Sequence, residues 1–235
     1  MRLPVIVLGM IFLANTAVAG EVVLKTQKDK ISYGIGMDIG NSLKEQALDI
    51  DPKMLSRGLT DTLAGKKSLM TEKEFQETMN ELKKELVARQ MKKMQEAGEN
   101  NKKEGEAFLA QNAKKEGVVT LPSGLQYIII KDGEGNTPKA SDVVTVNYKG
   151  TFINGNEFDS SYRRGQPVTF PVSGVIPGWT EALQLMKAGS KWQLFIPSAL
   201  AYGEHGAGQT IGPNTTLIFE VELISIKEET ETRAQ

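Results

Sequence analysis

Apolar residues recur along this chain with two different periods. Ile31, Ile35, Ile39 and Leu43 stand at every fourth position, as on one face of a helix. A second helix is announced by Asp51-Pro52, an N-cap followed by proline at the first helical position, and carries the stripe Leu55, Leu59 and Leu63 up to Gly65. A third opens at Thr71-Glu72-Lys73-Glu74, where the threonine side chain can cap the Glu74 amide while the glutamate reaches back. Its seam of Phe75, Met79, Leu82 and Leu86 alternates spacings of four and three and stops being apolar after Met94. The front half of this helix is therefore expected to pack and the back half, towards Glu116, to face water, with Gly98 and Gly105 as the places for bending.

Beyond residue 118 a period of two takes over. Leu125 to Lys131 reads as a strand ending in Asp132-Gly133, and Val144, Val146 and Tyr148 alternate with Val143, Thr145 and Asn147. Asn154-Gly155 is a hairpin signal, while Pro167 and Pro171 confine the next segment to a sheet edge. Trp192, Leu194 and Ile196 alternate, as do Leu217, Phe219, Val221 and Leu223, with Glu220 and Glu222 on the opposite face. Trp179, Ala182, Leu183 and Met186 supply the one helical stripe, bounded by Gly178 and Gly189. The expectation is an α+β protein: a helical amino-terminal region, a long connecting helix, and a carboxy-terminal antiparallel sheet with one short helix against one face.

Composition sharpens these divisions. Residues 118–235 hold 11 of the 15 aromatic residues, 7 of the 9 prolines and 13 of the 23 glycines, whereas residues 71–117 hold no proline and 20 charges, ten of each sign. The first is turn-rich and core-rich; the second is a solvated helix acting as a spacer. Residues 20–70 contribute two helices too small to enclose a core, so a second copy of the chain is the expected partner for their apolar faces, with Gly34, Gly36 and Gly40 permitting close contact and intrachain packing as the alternative. Residues 1–19 read as a secretory signal peptide: Arg2, an apolar run from Leu3 to Ala14, and the small triplet Ala17-Val18-Ala19 before the cut. The expected location is accordingly an envelope compartment or the space outside the cell.

Charge and residue types exclude much chemistry. Twenty-eight basic against 29 acidic residues leave a net charge of −1, which argues against nucleic acid as a partner. With no cysteine there is no disulfide, thiol nucleophile or zinc–thiolate site, and His205 is the single histidine. It sits between Glu204 and Gly206 and reads as a solvent-facing loop residue.

Five blocks in order then point to a family: Val146-Asn147-Tyr148-Lys149-Gly150, Phe158-Asp159-Ser160-Ser161, Val175-Ile176-Pro177-Gly178-Trp179, Ala201-Tyr202-Gly203 and Thr216-Leu217-Ile218-Phe219. Together they resemble the FK506-binding-protein (FKBP) type of peptidyl-prolyl cis-trans isomerase. With its helical start, long helix and the string from Leu121 to Tyr127, the whole chain resembles the macrophage infectivity potentiator (Mip) and FkpA group of exported bacterial isomerases. The resemblance implies an FKBP-like bent sheet around one helix, with residues 118–235 as the isomerase domain, 71–117 as linker helix and 20–70 as a dimerisation domain.

The implied reaction fits the residues. The partial double bond of an Xaa-Pro amide opposes rotation by about 18–20 kcal/mol, and isomerisation takes tens to hundreds of seconds. No covalent bond changes, so the catalyst needs neither cofactor nor metal; it must favour the twisted amide over both planar forms. An apolar pocket does this by stripping away water that stabilises the charge-separated planar form. By resemblance Trp179 is the pocket floor, Tyr148, Phe158, Phe170, Val175, Ile176, Ile211 and Phe219 are substrate-binding, and Asp159 and Tyr202 are catalytic, with Ala207 and Thr210 in a loop leaning over the site. The Ile176 amide is expected to anchor the substrate backbone. Val168 stands where the family often has phenylalanine, which bears on substrate preference.

Taken without the resemblance, Trp179, Tyr148 and Phe219 read as core, Asp159 as a turn or capping aspartate, and Tyr202 as a loop aromatic. The implied partners are proline-containing peptides and unfolded or partly folded proteins, with FK506- and rapamycin-type macrolides as inhibitors. The competing reading is a proline-motif-binding chaperone or a virulence-associated adhesion factor in which turnover is incidental.

Overall fold

The structure, a computed structural model, describes residues 23–227, so the expected signal peptide lies outside the described residues. The chain divides into two units with the boundary between Thr78 and Met79.

In the first unit, helix α1 spans Gln27–Glu45 and α2 spans Pro52–Leu63. Thr26 and Asp29 form a capping box at the start of α1. Asp51 caps α2, its carboxylate accepting from Lys53 N at 2.8 Å, with Pro52 at the first helical position. Long helix α3, Glu72–Asn112, has only its first residues in this unit and belongs to the second from Met79 onward; it begins with the expected box, in which Thr71 N donates to Glu74 at 2.8 Å and Glu74 N donates to Thr71 Oγ1 at 3.2 Å. No residue of α1 is buried, and Ile31, Ile35, Leu55, Leu59 and Phe75 all stand exposed. The periodicity predicts the helices correctly, and the described residues leave their stripes uncovered.

In the second unit seven strands form one antiparallel sheet: β1 Val119–Thr120, β2 Gln126–Lys131, β3 Val143–Phe152, β4 Glu157–Ser160, β5 Val168–Pro171, β6 Lys191–Ile196 and β7 Leu217–Lys227. The order is β1-β2-β6-β7-β3-β4, with β5 also pairing with β3. Pro167 precedes β5 and Pro171 ends it, and β5 is an edge strand as their missing donors demand. Gly155 turns the β3–β4 hairpin at φ +86°. Helix α5, Pro177–Leu183, packs Trp179, Ala182 and Leu183 on the buried alternation of β3, β6 and β7. A further single turn, α4, covers Ser161–Arg164.

One expectation fails here. The back half of α3 is not water-facing: Gly98, Gly105 and Asn112 are buried against the sheet unit, and the helix runs without interruption to Asn112. A Cβ on Gly105 would lie 2.2 Å from Thr216 Oγ1, so glycine is what allows the helix backbone to approach β7. Asn112 Nδ2 donates to Gln126 Oε1 at 3.0 Å, and Gln126 Nε2 returns to Leu109 O at 3.0 Å. Phe108 meets Phe195 with ring centres 5.9 Å apart, which buries this residue on the outer face of β6. The seam 98, 101, 105, 108, 112 keeps the four-and-three spacing, but apart from Phe108 it does so in small and polar residues that a hydrophobic pattern does not register.

Candidate active site

The site is assembled where β3 changes neighbours. Its outer edge pairs with β5 from Val143 to Val146 and with β4 from Lys149 to Thr151, leaving Asn147 and Tyr148 between the two. Ser161 fills that gap: its hydroxyl accepts from Tyr148 N at 2.9 Å. Ser160 caps α4, and this one turn brings Arg164 back over Asp159 and Tyr148. The Phe158-Asp159-Ser160-Ser161 string is thus a device for locking the Tyr148 backbone while aiming a carboxylate and a guanidinium at its hydroxyl.

A cavity of about 410 Å³ opens here, lined by Tyr148, Phe158, Asp159, Phe170, Gly174, Val175, Ile176, Trp179, Tyr202 and Phe219. Trp179, 4% exposed, is its hub. Tyr148, Phe219 and Phe170 meet the indole with centroids 5.2, 5.3 and 5.9 Å away and planes within a few degrees of perpendicular, the edge-to-face arrangement that aromatic quadrupoles favour. Phe158 stands at 90° to Phe219, centroids 5.5 Å apart. Thr180 Oγ1 donates to Val172 O at 2.8 Å, tying α5 to the turn that leads into Val175 and Ile176. The Ile176 carbonyl accepts the first helical bonds of α5, while no hydrogen bond from its amide is found among the described residues.

The polar rim is a triad. Tyr148 OH donates to Asp159 Oδ2 at 2.5 Å, Arg164 Nη2 donates to Tyr148 OH at 2.6 Å, and Arg164 Nη1 pairs with Asp159 Oδ1. Ser160 N adds a further bond to Asp159 at 2.8 Å. Burial by itself raises the Asp159 carboxyl, but the hydrogen bonds from Tyr148, Arg164 and Ser160 outweigh it and hold Asp159 below the ordinary aspartate range. Burial, then the bond to Asp159, pushes the Tyr148 phenol up, with Arg164 pulling the other way. The site therefore presents an ionised carboxylate and a neutral phenol beside an open ring-lined cup.

Nine of the ten residues named from the sequence converge on this cavity. Ile211 does not: it is 8% exposed within the core, because the loop closes on itself through the Ala207 and Ile211 backbones at 2.8 and 3.1 Å, and Thr210 lines a different hollow beside α3. Gly206 makes that closure possible, since a Cβ there would meet Ile211 O at 2.1 Å. His205 is exposed and outside the site. Arg164 and Gly174 were not anticipated. For Arg164 the available signal was its place five residues after Asp159 beyond a serine N-cap, a spacing that one helical turn folds back.

Comparisons with known proteins agree with this geometry. The family model for the domain amino terminal to FKBP-type peptidyl-prolyl isomerase matches residues 28–129, and that for FKBP-type peptidyl-prolyl cis-trans isomerase matches residues 134–224. The chain is 47% identical to the outer membrane protein MIP of Legionella longbeachae, over 94% of this chain and 95% of that one. It is 45% identical to the peptidyl-prolyl cis-trans isomerase Mip of Coxiella burnetii, over 96% and 97%. The crystal structure of FkpA from Escherichia coli superposes with a TM-score of 0.73 at 40% identity, covering 88% of this chain and all of that one. A ring-lined cup on a helix-backed antiparallel sheet, found in a chain so matched along its length, belongs to the FKBP-type peptidyl-prolyl cis-trans isomerases of the Mip and FkpA group.

Proposed function

We propose that this isomerase holds the prolyl ring of its substrate against Trp179, between Tyr148, Phe158, Phe170 and Phe219, while the amide rotates. The single observation carrying this reading is the convergence of those rings on one open cavity with Asp159 at its edge. In this cup the amide loses the water that favours its planar form, and the walls fit a compact ring. Asp159, kept ionised by Tyr148 and Arg164, offers a fixed negative charge to the twisted amide, and the Tyr202 hydroxyl donates to a substrate carbonyl. The Ile176 amide, which finds no acceptor among the described residues, anchors the backbone next to the proline. Macrolides of the FK506 and rapamycin type compete for the same space.

A protease-coupled assay on a short Xaa-Pro peptide tests the roles. Wild type accelerates exchange, Asp159→Ala and Tyr202→Phe each lose much of that acceleration while keeping the fold, and wild-type rates in both variants would reject this assignment.

Residues 20–70 are proposed as the dimerisation region, 71–117 as the connecting helix and 118–235 as the isomerase domain. The exposed stripes of α1 and α2 favour a second copy as their cover. Export through residues 1–19 puts the enzyme in the Gram-negative envelope, where it assists folding of exported proteins. No helix among the described residues is long and apolar enough to cross a membrane. The same exposed stripes favour a second reading, a chaperone that holds proline-containing clients; it predicts client protection that survives the loss of turnover in Asp159→Ala.

A further inference from the structure

The loop that follows Tyr202 is tied at its far end to the second half of α3. Asn101 Nδ2 donates to Pro213 O at 2.8 Å and reaches Thr215 Oγ1 at 3.3 Å, and Thr215 in turn donates to Gly212 O at 2.8 Å. Asn214 Nδ2 donates to Gly98 O at 3.4 Å. Gly98 eases this approach: a Cβ there would stand 3.1 Å from Pro213 Cβ and 3.3 Å from Asn214 Nδ2, closer than an ordinary van der Waals contact. The Asn214 backbone faces the other way: its N–H donates to Gly203 O at 2.8 Å.

Asn214 also sits at φ +54°, in the left-handed region that costs most residues free energy and asparagine less. Such a conformation persists where the surroundings over-determine it, and here helix and loop both do. Tyr202, the residue before Gly203, lines the cavity while 40% exposed, and its hydroxyl makes no hydrogen bond among the described residues. The position of this ring therefore follows the backbone around it, whose next carbonyl is the one Asn214 holds.

We propose that Asn214 is a positioning residue for the isomerase reaction: it carries the seating of α3 at Gly98 through the Gly203 carbonyl to the Tyr202 wall, with Asn101 bracing the same loop. The second half of α3 is then a working part of the active site. This inference rests on the reading of Tyr202 as a substrate contact.

Double-mutant cycles in the full chain test it, read as kcat/KM on an Xaa-Pro peptide with thermal melts alongside. Asn214→Gly keeps the backbone conformation and deletes the side chain; Asn101→Ala removes the brace. Each is expected to lower kcat/KM by about three- to tenfold, the size of effect that coupled neighbours show. The loss should vanish in a Tyr202→Ala background and persist in full beside Phe170→Leu. A loss of equal size with and without the Tyr202 ring overturns the inference, because a merely structural role would act through every wall alike. So does wild-type activity of both asparagine variants when Tyr202→Ala is impaired, which leaves the site reading intact. Full activity of Tyr202→Ala overturns the site reading and this inference with it. Should Asn214→Gly fail to fold, the Asn101→Ala cycle decides on the same criteria.

Discussion

Gly150 stands opposite Phe219 in the β3–β7 register, and a Cβ on it would come within 2.8 Å of the Phe219 ring and 2.6 Å of the Phe158 ring. The two phenylalanines cross at right angles in the space this glycine leaves. Gly150→Ala overfills that crossing, a fault that typically costs about 1–3 kcal/mol. The variant is expected to melt earlier and, because Phe158 and Phe219 are displaced into the cavity, to lose peptide isomerase activity beyond what its stability explains at a temperature where it remains folded.

Arg164 offers a second prediction. Its guanidinium bonds both Asp159 and the Tyr148 hydroxyl, so Arg164→Met leaves the carboxylate with fewer donors. Hydrogen bonds to charged groups are worth about 1.5–3 kcal/mol, so activity is expected to fall by about tenfold or more. The Asp159 carboxyl should titrate at a higher pH than in wild type when followed by carboxyl-carbon NMR. An unchanged titration midpoint would show that Arg164 does not hold the charge.

The pH profile follows from the same groups. Asp159 is depressed below its unfolded value of about 3.9, so its contribution to stability is fully present above that pH and is lost as pH falls through the folded value. Tyr148 is raised above about 10, so its contribution is complete below that pH and is lost as pH rises through its folded value. With His205 outside the cavity, kcat/KM should be flat between about pH 5 and 8. A histidine-like step near neutrality would contradict the site as drawn.

Much of the fold was legible because its elements follow simple periods. The strands of Tyr148 and Phe219 alternate cleanly, and Asp51-Pro52 and Thr71 with Glu74 cap the helices they announce. The site was legible only through the resemblance, since Trp179 and Phe219 lie in the buried core and differ from other core residues only in also bordering a cavity. Besides Arg164 and Gly174, two features give no sign in the sequence. The seat of α3 is made of Gly98, Asn101, Gly105 and Asn112, and small or polar residues give no hydrophobic signal although their lack of bulk is what lets the backbones meet. The resemblance puts Ile211 with the pocket, yet the Ala207–Ile211 closure turns it into the core, a backbone event that residue types do not announce.

That seat gives its own prediction. Gly105→Val sets a branched side chain against Thr216 and should detach the helix from β7, seen as faster amide exchange at Leu109 and Gln126 and a lower melting temperature. Exchange protection equal to wild type would refute the contact.

Assembly can be separated from chemistry. Removing residues 20–70 is expected to leave a monomer by light scattering that keeps its activity on short peptides and loses efficiency on protein clients. A full-length chain that is monomeric at micromolar concentration would rule out the second copy as the cover for α1 and α2.

In the proposed function, a ring-lined cup beside Asp159 grips the prolyl amide while it is twisted. Two-dimensional exchange NMR on an Xaa-Pro peptide with substoichiometric protein measures this directly. Cis and trans signals should interconvert rapidly with wild type, and markedly more slowly with a folded Asp159→Ala variant. Interconversion no faster with wild-type protein than in buffer, or equally fast with Asp159→Ala, would contradict the account.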